Sequence, residues 1–236
     1  MYVIAFASQK GGSGKTTLAG HIAVEAERAG AGPVVLMDTD PQGSLSEWWN
    51  VREAETPAFV RSSHNGLEAD LAALKASGTG LVVIDTPPAI TTTIGQVIAQ
   101  ADLVVIPTRP SPHDLRAAGA TVQICEGQNK PLVFVLNGAS PRARITTEAA
   151  IALSHHGAVS PTVVHQRTDF ASAMIDGRTV MELGGQSRSP DEISELWRFL
   201  NSRLTGENAS PLLAGKPSVR KEALSPNSEA SMRGAA

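Results

Sequence analysis

The segment Lys10-Gly-Gly-Ser-Gly-Lys-Thr-Thr17 follows directly after the apolar run Tyr2–Ala7 and constrains the fold more than any other part of the chain. Its glycines allow the backbone to turn N–H groups toward a bound phosphate, and a helix beginning near Lys15 adds its positive N-terminal dipole. Lys15 is placed to reach the terminal phosphates, and the Thr16 hydroxyl to bind a magnesium ion. The order of strand, glycine-rich loop and helix therefore predicts a phosphate-binding loop.

One position of this loop departs from the usual pattern G-x-x-x-x-G-K-[ST], because Gln9 stands where the first glycine belongs. Lys10 comes next, so the loop carries a second lysine upstream of Lys15. This combination is much rarer than a plain phosphate loop. We therefore expect Lys10 to have a function of its own.

The composition excludes several classes of protein. Of the 236 residues, 42% are apolar and 18% charged, which is ordinary for a globular protein, and the net charge of −3 leaves nucleic-acid binding to a local basic patch. The single cysteine, Cys125, excludes an internal disulfide and a metal cage built from cysteines alone. Neither a membrane span nor a signal peptide is recognisable, so the sequence predicts a cytoplasmic protein without membrane attachment.

Short β-branched runs alternate with segments of helical periodicity, which predicts an α/β fold with a mainly parallel twisted sheet and helices on both faces. We expect strands over Tyr2–Ala7, Val34–Met37, Ala58–Arg61, Leu81–Ile84, Leu103–Ile106, Leu132–Leu136 and Ala158–Val164. We expect helices over Lys15–Ala29, Ser44–Arg52, Gly66–Ala76, Thr93–Gln100, Pro112–Glu126, Thr146–His155, Asp169–Ile175 and Pro190–Leu204. Residues 1–205 are predicted to form one domain, and the polar segment 206–236 a disordered tail.

Acidic residues follow two of the predicted strands. Asp38 and Asp40 come directly after the second strand, and in an extended segment they point toward the same face of the site. Asp85 ends another apolar strand and is followed by Thr86-Pro-Pro88. Because ligands of parallel sheets bind at the carboxyl ends of the strands, we expect Thr16, Asp85 and Asp38 to form the metal site.

The phosphate loop with its second lysine, the segment Asp38-Thr-Asp-Pro-Gln-Gly43 and the strand ending in Asp85 together resemble the ParA family of partition ATPases. The similarity continues through Asp102–Pro107, Arg109–Pro112, Val135–Asn137 and Gly177–Glu182. It is greatest to the short, ParF-like members that lack an N-terminal helix-turn-helix domain. The resemblance implies a P-loop NTPase with a deviant Walker A motif that hydrolyses ATP slowly, with magnesium.

The resemblance also implies roles for individual residues. Lys10 is similar to a signature lysine that reaches the nucleotide of a partner subunit, and Asp40 to the carboxylate that positions the attacking water. The implied catalytic set is thus Lys10, Lys15 and Asp40. Thr17 resembles the contact to the α-phosphate, and Asn137 a contact to adenine. The implied nucleotide-binding residues are Lys10, Gly11, Gly12, Ser13, Gly14, Lys15, Thr16, Thr17 and Asn137.

At the level of function, the resemblance implies an ATP-gated homodimer on the nucleoid that binds double-stranded DNA without sequence preference. Such a dimer partitions plasmid or chromosomal DNA with a ParB- or ParG-like activator protein. Arg198 and Arg203, in the last predicted helix, are the candidate DNA contacts, although arginines of this region also suit salt bridges within the chain.

Two other functions remain open from the sequence. The same switch can position a protein cargo, such as a chemoreceptor cluster or a microcompartment. A small-molecule enzyme of the amidoligase or synthetase type would use a similar loop, but usually without a lysine at position 10.

Overall fold

The computed structural model of the chain describes residues 1–63, 65–88 and 92–206. Its strands are β1 Tyr2–Phe6, β2 Val34–Asp38, β3 Ala58–Arg61, β4 Leu81–Asp85, β5 Leu103–Thr108, β6 Leu132–Ala139, β7 Ala158–Val159 and β8 Val164–His165. Its helices are α1 Lys15–Arg28, α2 Ser44–Asn50, α3 Leu67–Ala76, α4 Thr92–Gln100, α5 Pro112–Gly127, α6 Arg144–Ser154, α7 Thr168–Met174 and α8 Ser189–Thr205. A short 3-10 helix, Val180–Glu182, precedes α8.

The eight strands form one sheet in the order β3-β2-β4-β1-β5-β6-β7, and β8 also pairs with β6. Every described pairing is parallel, which confirms the predicted fold. The central strand β1 lies between β4 and β5: strands β2 to β4 extend the sheet on one side of β1, and β5 to β7 on the other. That change of direction opens a crevice at the carboxyl ends of the strands, where such sheets bind ligands.

Helices cover both faces of the sheet, and successive strand residues therefore enter different cores. Ile4 and Phe6 pack with α1, α2, α7 and α8 on one face. Val3 and Ala5 pack with α3, α4, α5 and α6 on the other. Burial on both sides explains why the central strands are apolar throughout instead of alternating.

The element boundaries differ from the predicted ones at several places. The predicted strand Ala158–Val164 is wrong as a single element, because Pro161 has no N–H to donate and separates β7 from β8. Helix α2 ends at Asn50, short of Arg52, and α6 begins earlier than predicted, at Arg144. The 3-10 helix was not predicted. The predicted tail lies outside the described residues beyond Gly206.

Candidate functional site

The phosphate loop and two of the three acidic residues meet at the carboxyl edge of neighbouring strands. In the strand register Asp85 is paired with Phe6 of β1 on one side and with Asp38 of β2 on the other. The segment that starts after Phe6 therefore begins beside Asp85, and its Thr16 contacts that carboxylate. Strand order alone brings these three segments together, although they are distant in sequence.

The backbone of the loop depends on glycine. Gly14 has φ +95°, which side-chain-bearing residues rarely adopt, and a Cβ at this position would lie 2.1 Å from Nδ2 of Asn137. That same Nδ2 donates a hydrogen bond of 2.8 Å to the carbonyl oxygen of Ser13. Asn137, at the end of β6, thus holds the loop in place. The adenine contact expected of Asn137 stays a prediction.

Thr16, Asp85 and Lys15 form the polar centre beneath the loop. The Thr16 hydroxyl donates a 2.6 Å hydrogen bond to Oδ2 of Asp85, which is 1% exposed. Burial raises the pKa of Asp85 to about 7, opposed by the Thr16 hydrogen bond and the Lys15 charge. Burial also lowers the pKa of Lys15 despite the nearby charges of Asp85 and Asp40. Burial thus disfavours the charged forms of both Lys15 and Asp85, and a charged ligand that contacts both groups would stabilise them.

Several buried polar atoms around the loop have no hydrogen-bond partner among the described residues. They include Ser13 Oγ, Gln9 Nε2 and Asp85 Oδ1. Buried polar groups are nearly always paired, so this cluster indicates that a polar ligand completes the site. Hydroxyl and carboxylate oxygens beside backbone N–H groups suit a magnesium–phosphate complex, since Mg²⁺ takes one or two protein oxygens together with phosphates and waters.

Asp38 and Asp40 differ in their surroundings. Both oxygens of the buried Asp38 are engaged: Oδ1 accepts from the Asp40 backbone N–H at 2.9 Å, and Oδ2 from the backbone and side chain of Ser46 at 3.0 and 2.7 Å. Asp40 is only partly buried and accepts from the Gln42 N–H at 2.9 Å. Asp38 thus fixes the start of α2 and the position of Asp40, a role that sequence reasoning did not assign to it.

Lys10 is turned back onto its own chain. Its Nζ lies 2.5 Å from Oδ2 of Asp114, which is 5% exposed at the start of α5, whereas Lys10 is 38% exposed. Ser111, the N-cap of α5, donates to the same oxygen and accepts from the Asp114 N–H. Burial on its own would raise the pKa of Asp114, but hydrogen bonds from Lys10 and Ser111 outweigh it and lower the pKa below its ordinary value.

The end of α2 is tied to the segment between α7 and α8 by residues that sequence reasoning missed. Arg52, 3% exposed, donates to both oxygens of Glu182 at 2.6 and 2.9 Å and to the carbonyl oxygen of Gly177 at 2.7 Å. The Trp48 indole N–H donates to the Arg178 carbonyl oxygen at 3.2 Å. The segment Gly177–Glu182 therefore supports α2, which begins at Ser44.

A cavity of about 540 Å³ lies between the phosphate loop, α2 and α7. Its lining includes Thr17, Glu47, Trp48, Met174 and Ile175. Sites of this size, largely preformed and with mixed apolar and polar walls, are typical of small-molecule ligands. Because Gly12, Gly14 and Lys15 of the loop also line it, the cavity is continuous with the predicted phosphate site.

Several arginines of the C-terminal half are bound within the chain. Arg167 makes a bidentate pair with Glu192 at 2.6 and 2.7 Å, and Arg178 pairs with Asp176. Arg198 and Arg203 lie exposed on α8, and Arg203 covers the ring of Phe199. The intramolecular alternative is thus correct for Arg167 and Arg178, whereas the DNA contacts of Arg198 and Arg203 stay a prediction.

In the described part of the chain, no three His, Cys, Asp or Glu side chains come together as a metal cage. No helix in residues 1–63, 65–88 and 92–206 combines the length and apolar character needed to cross a membrane.

Comparison with known proteins gives a consistent result. The CobQ/CobB/MinD/ParA nucleotide binding domain matches residues 4–180. The maintenance of carboxysome distribution protein A of Halothiobacillus neapolitanus is 32% identical over 205 residues, covering 83% of this chain and 94% of the relative. The chromosome-partitioning ATPase Soj of Thermus thermophilus is 29% identical over 171 residues, covering 60% of this chain and 66% of the relative.

Solved structures agree on the fold. The cell division protein MinD of Aquifex aeolicus superposes with a TM-score of 0.71 at 17% identity, covering 86% of this chain and 97% of MinD. A putative plasmid partition protein of Borrelia burgdorferi, bound to AMPPNP, gives 0.66 at 17% identity, with 85% and 99% covered. The predicted resemblance is confirmed: the chain belongs to the CobQ/CobB/MinD/ParA nucleotide-binding family and is an ATPase of the ParA/MinD type.

Proposed function

We propose that this ATPase is an ATP-gated dimer that positions a large protein assembly inside the cell. The observation that carries the proposal is the match to the carboxysome distribution protein of H. neapolitanus, because it extends over 94% of that relative at 32% identity. A similarity of this extent includes the loops around the nucleotide as well as the sheet.

The nucleotide is Mg²⁺-ATP in this proposal. Lys15 and the N–H groups of the loop bind the β- and γ-phosphates, and Thr17 binds the α-phosphate. Thr16 and Asp85 hold Mg²⁺, which when bound neutralises charge on the phosphates. Asp40 orients the attacking water. Asp38 contributes to the metal site through the loop it fixes, since both of its oxygens already accept hydrogen bonds from the protein.

Dimerisation depends on Lys10. Two ATP-bearing protomers that face each other bring many phosphate charges together, and a lysine given by each to the other offsets the repulsion. That contact exists only while ATP is bound, so the dimer reports the nucleotide state. Intrinsic hydrolysis is slow, and an activator protein associated with the cargo accelerates it.

Partition of plasmid or chromosomal DNA with a ParB- or ParG-like protein is the second candidate. It is favoured by the similarity to Soj and to the protein ParA of Rhizobium radiobacter, which is 27% identical over 185 residues. Both functions use the nucleoid as a support, so in both the dimer binds DNA without sequence preference. Arg198 and Arg203, exposed on α8, are the proposed contacts.

Co-sedimentation with DNA in ATP and in ADP tests the common mechanism. We expect binding in ATP that weakens steeply with salt, and weaker binding by a variant with Arg198→Glu and Arg203→Glu. Binding that is equal in the two nucleotides would contradict the proposal. Stimulation of hydrolysis by the product of the adjacent gene then separates the candidates, according to whether that product associates with a protein assembly or with a DNA site.

A further inference from the structure

Two anions compete for Lys10: the Asp114 carboxylate of its own chain and, in the proposed dimer, the nucleotide phosphates of the partner subunit. In this structure its ammonium group is 2.5 Å from a carboxylate that is nearly inaccessible to solvent. Asp114 Oδ1 is also buried, and it has no hydrogen-bond partner among the described residues. Lys10 is therefore the principal counter-charge in contact with this carboxylate.

Release of Lys10 has a cost that follows from this burial. If the lysine left for a partner subunit, the Asp114 carboxylate would keep one hydrogen bond, from Ser111 Oγ, and the more distant charge of Arg109, and its own charge would remain in a poorly solvated position. Additional phosphate charge on the other side offsets this cost. ADP carries less charge than ATP. A fixed cost of leaving Asp114 is therefore overcome with ATP but not with ADP, so that only ATP gives the dimer.

We propose that Asp114, held in place by Ser111, is a positioning residue that retains Lys10 within its own chain and sets the nucleotide charge needed to release it. This inference rests on the dimer of the proposed function. It adds that in the nucleotide-free protein Lys10 is bound by a carboxylate of its own chain. That carboxylate belongs to α5, outside the phosphate loop.

The direct test measures Lys10 without requiring a dimer. Brief treatment of the nucleotide-free chain with an amine-reactive reagent, followed by mass spectrometry, gives the rate of modification of Lys10 relative to exposed Lys75. Asp114→Asn removes the counter-charge with little change in shape, and it should raise the relative rate at Lys10. An unchanged ratio would overturn the inference even if the chain proves to be a monomer in ATP.

The functional test is a titration of ATP followed by light scattering. Asp114→Asn should lower the ATP concentration for half-maximal dimer by about tenfold, the lower end of what a charged hydrogen bond supplies. It should also allow dimer in ADP, where the wild type remains monomeric. A titration midpoint equal to or above that of the wild type would overturn the inference.

Three further variants separate this effect from a general disturbance. Glu126→Gln removes an exposed carboxylate from the same helix and should leave the midpoint unchanged. Ser111→Ala removes the hydrogen bond that Asp114 would keep after Lys10 has left, so it should raise the midpoint, and it provides the test if Asp114→Asn fails to fold. In a Lys10→Ala background, Asp114→Asn should no longer change ATP binding. An equal change in both backgrounds would show that Asp114 does not act through Lys10.

Failure of the wild type itself to dimerise in ATP would instead contradict the proposed function.

Discussion

Replacing Glu182 by glutamine should lower the free energy of unfolding by about 3 kcal/mol. Glu182 accepts two hydrogen bonds from Arg52, at 2.6 and 2.9 Å, and two from Thr179, both at 2.8 Å. An amide there carries no charge and turns an NH₂ group toward these donors, so the buried guanidinium loses its counter-charge. Removing one member of a buried pair costs about 3–5 kcal/mol, and the 21% exposure of Glu182 places this case at the lower end.

Urea unfolding followed by tryptophan fluorescence measures this change, because Trp48 lies against Arg52. For a chain of this size the same loss corresponds to a decrease in Tm of about 6–12 °C. Asp176→Asn is the matched control, since both members of the Asp176–Arg178 pair are half exposed and little change is expected. A Glu182→Gln variant within about 0.5 kcal/mol of the wild type would refute the view that this pair holds α2 in place.

Other variants test further parts of the structure. Burial lowers the pKa of His21 from 6.5 to about 4, so the free energy of unfolding should fall by about 3 kcal/mol as the pH decreases from about 6.5 to about 4. Urea unfolding at several pH values measures this decrease, and His21→Gln should not show it. Gly177→Ala should cost more than about 2 kcal/mol, because φ is +77° and the added Cβ would lie 2.3 Å from Arg52 Cα; Gly119→Ala, with no atom near the added Cβ, should be neutral or stabilising. Asp85→Asn should abolish Mg²⁺-dependent hydrolysis yet stabilise the nucleotide-free chain at pH 8. Burial raises the pKa of Asp85 to about 7, so its charge at pH 8 disfavours the folded state, and the amide removes that charge. A lower free energy of unfolding at pH 8 would contradict this reasoning.

Much of the fold is predictable from local sequence pattern. The central strands are continuous apolar runs because both faces of the sheet are covered, and the start of α5 follows from the Ser111 N-cap and Pro112. The phosphate loop and the acidic strand ends are recognisable for the same reason, because each is a short segment with its own signature. Residues Lys15, Thr16 and Asp85 were accordingly predicted and are brought together.

Contacts between distant segments were not predictable in this way. Asp114 reads in the sequence as an ordinary residue of a helix start, and its contact with Lys10 crosses 104 positions. Arg52 lies beyond the end of a helix, and only the tertiary fold brings it to Glu182. Asp38 was expected to bind metal, which stays a prediction; that its Oδ1 accepts from the Asp40 N–H and its Oδ2 from Ser46 at the start of α2 was not predictable from the sequence.

Mixing two inactive variants tests most directly whether Lys10 acts on the partner's nucleotide. Lys10→Ala keeps Asp40 but gives no lysine, whereas Asp40→Ala keeps Lys10 but cannot orient the water. A mixed dimer then contains one complete site, on the Lys10→Ala subunit, with its lysine supplied by the other. The account predicts that ATP hydrolysis reappears on mixing and rises with the fraction of mixed dimer. Hydrolysis that only equals the sum of the two separate variants would contradict it.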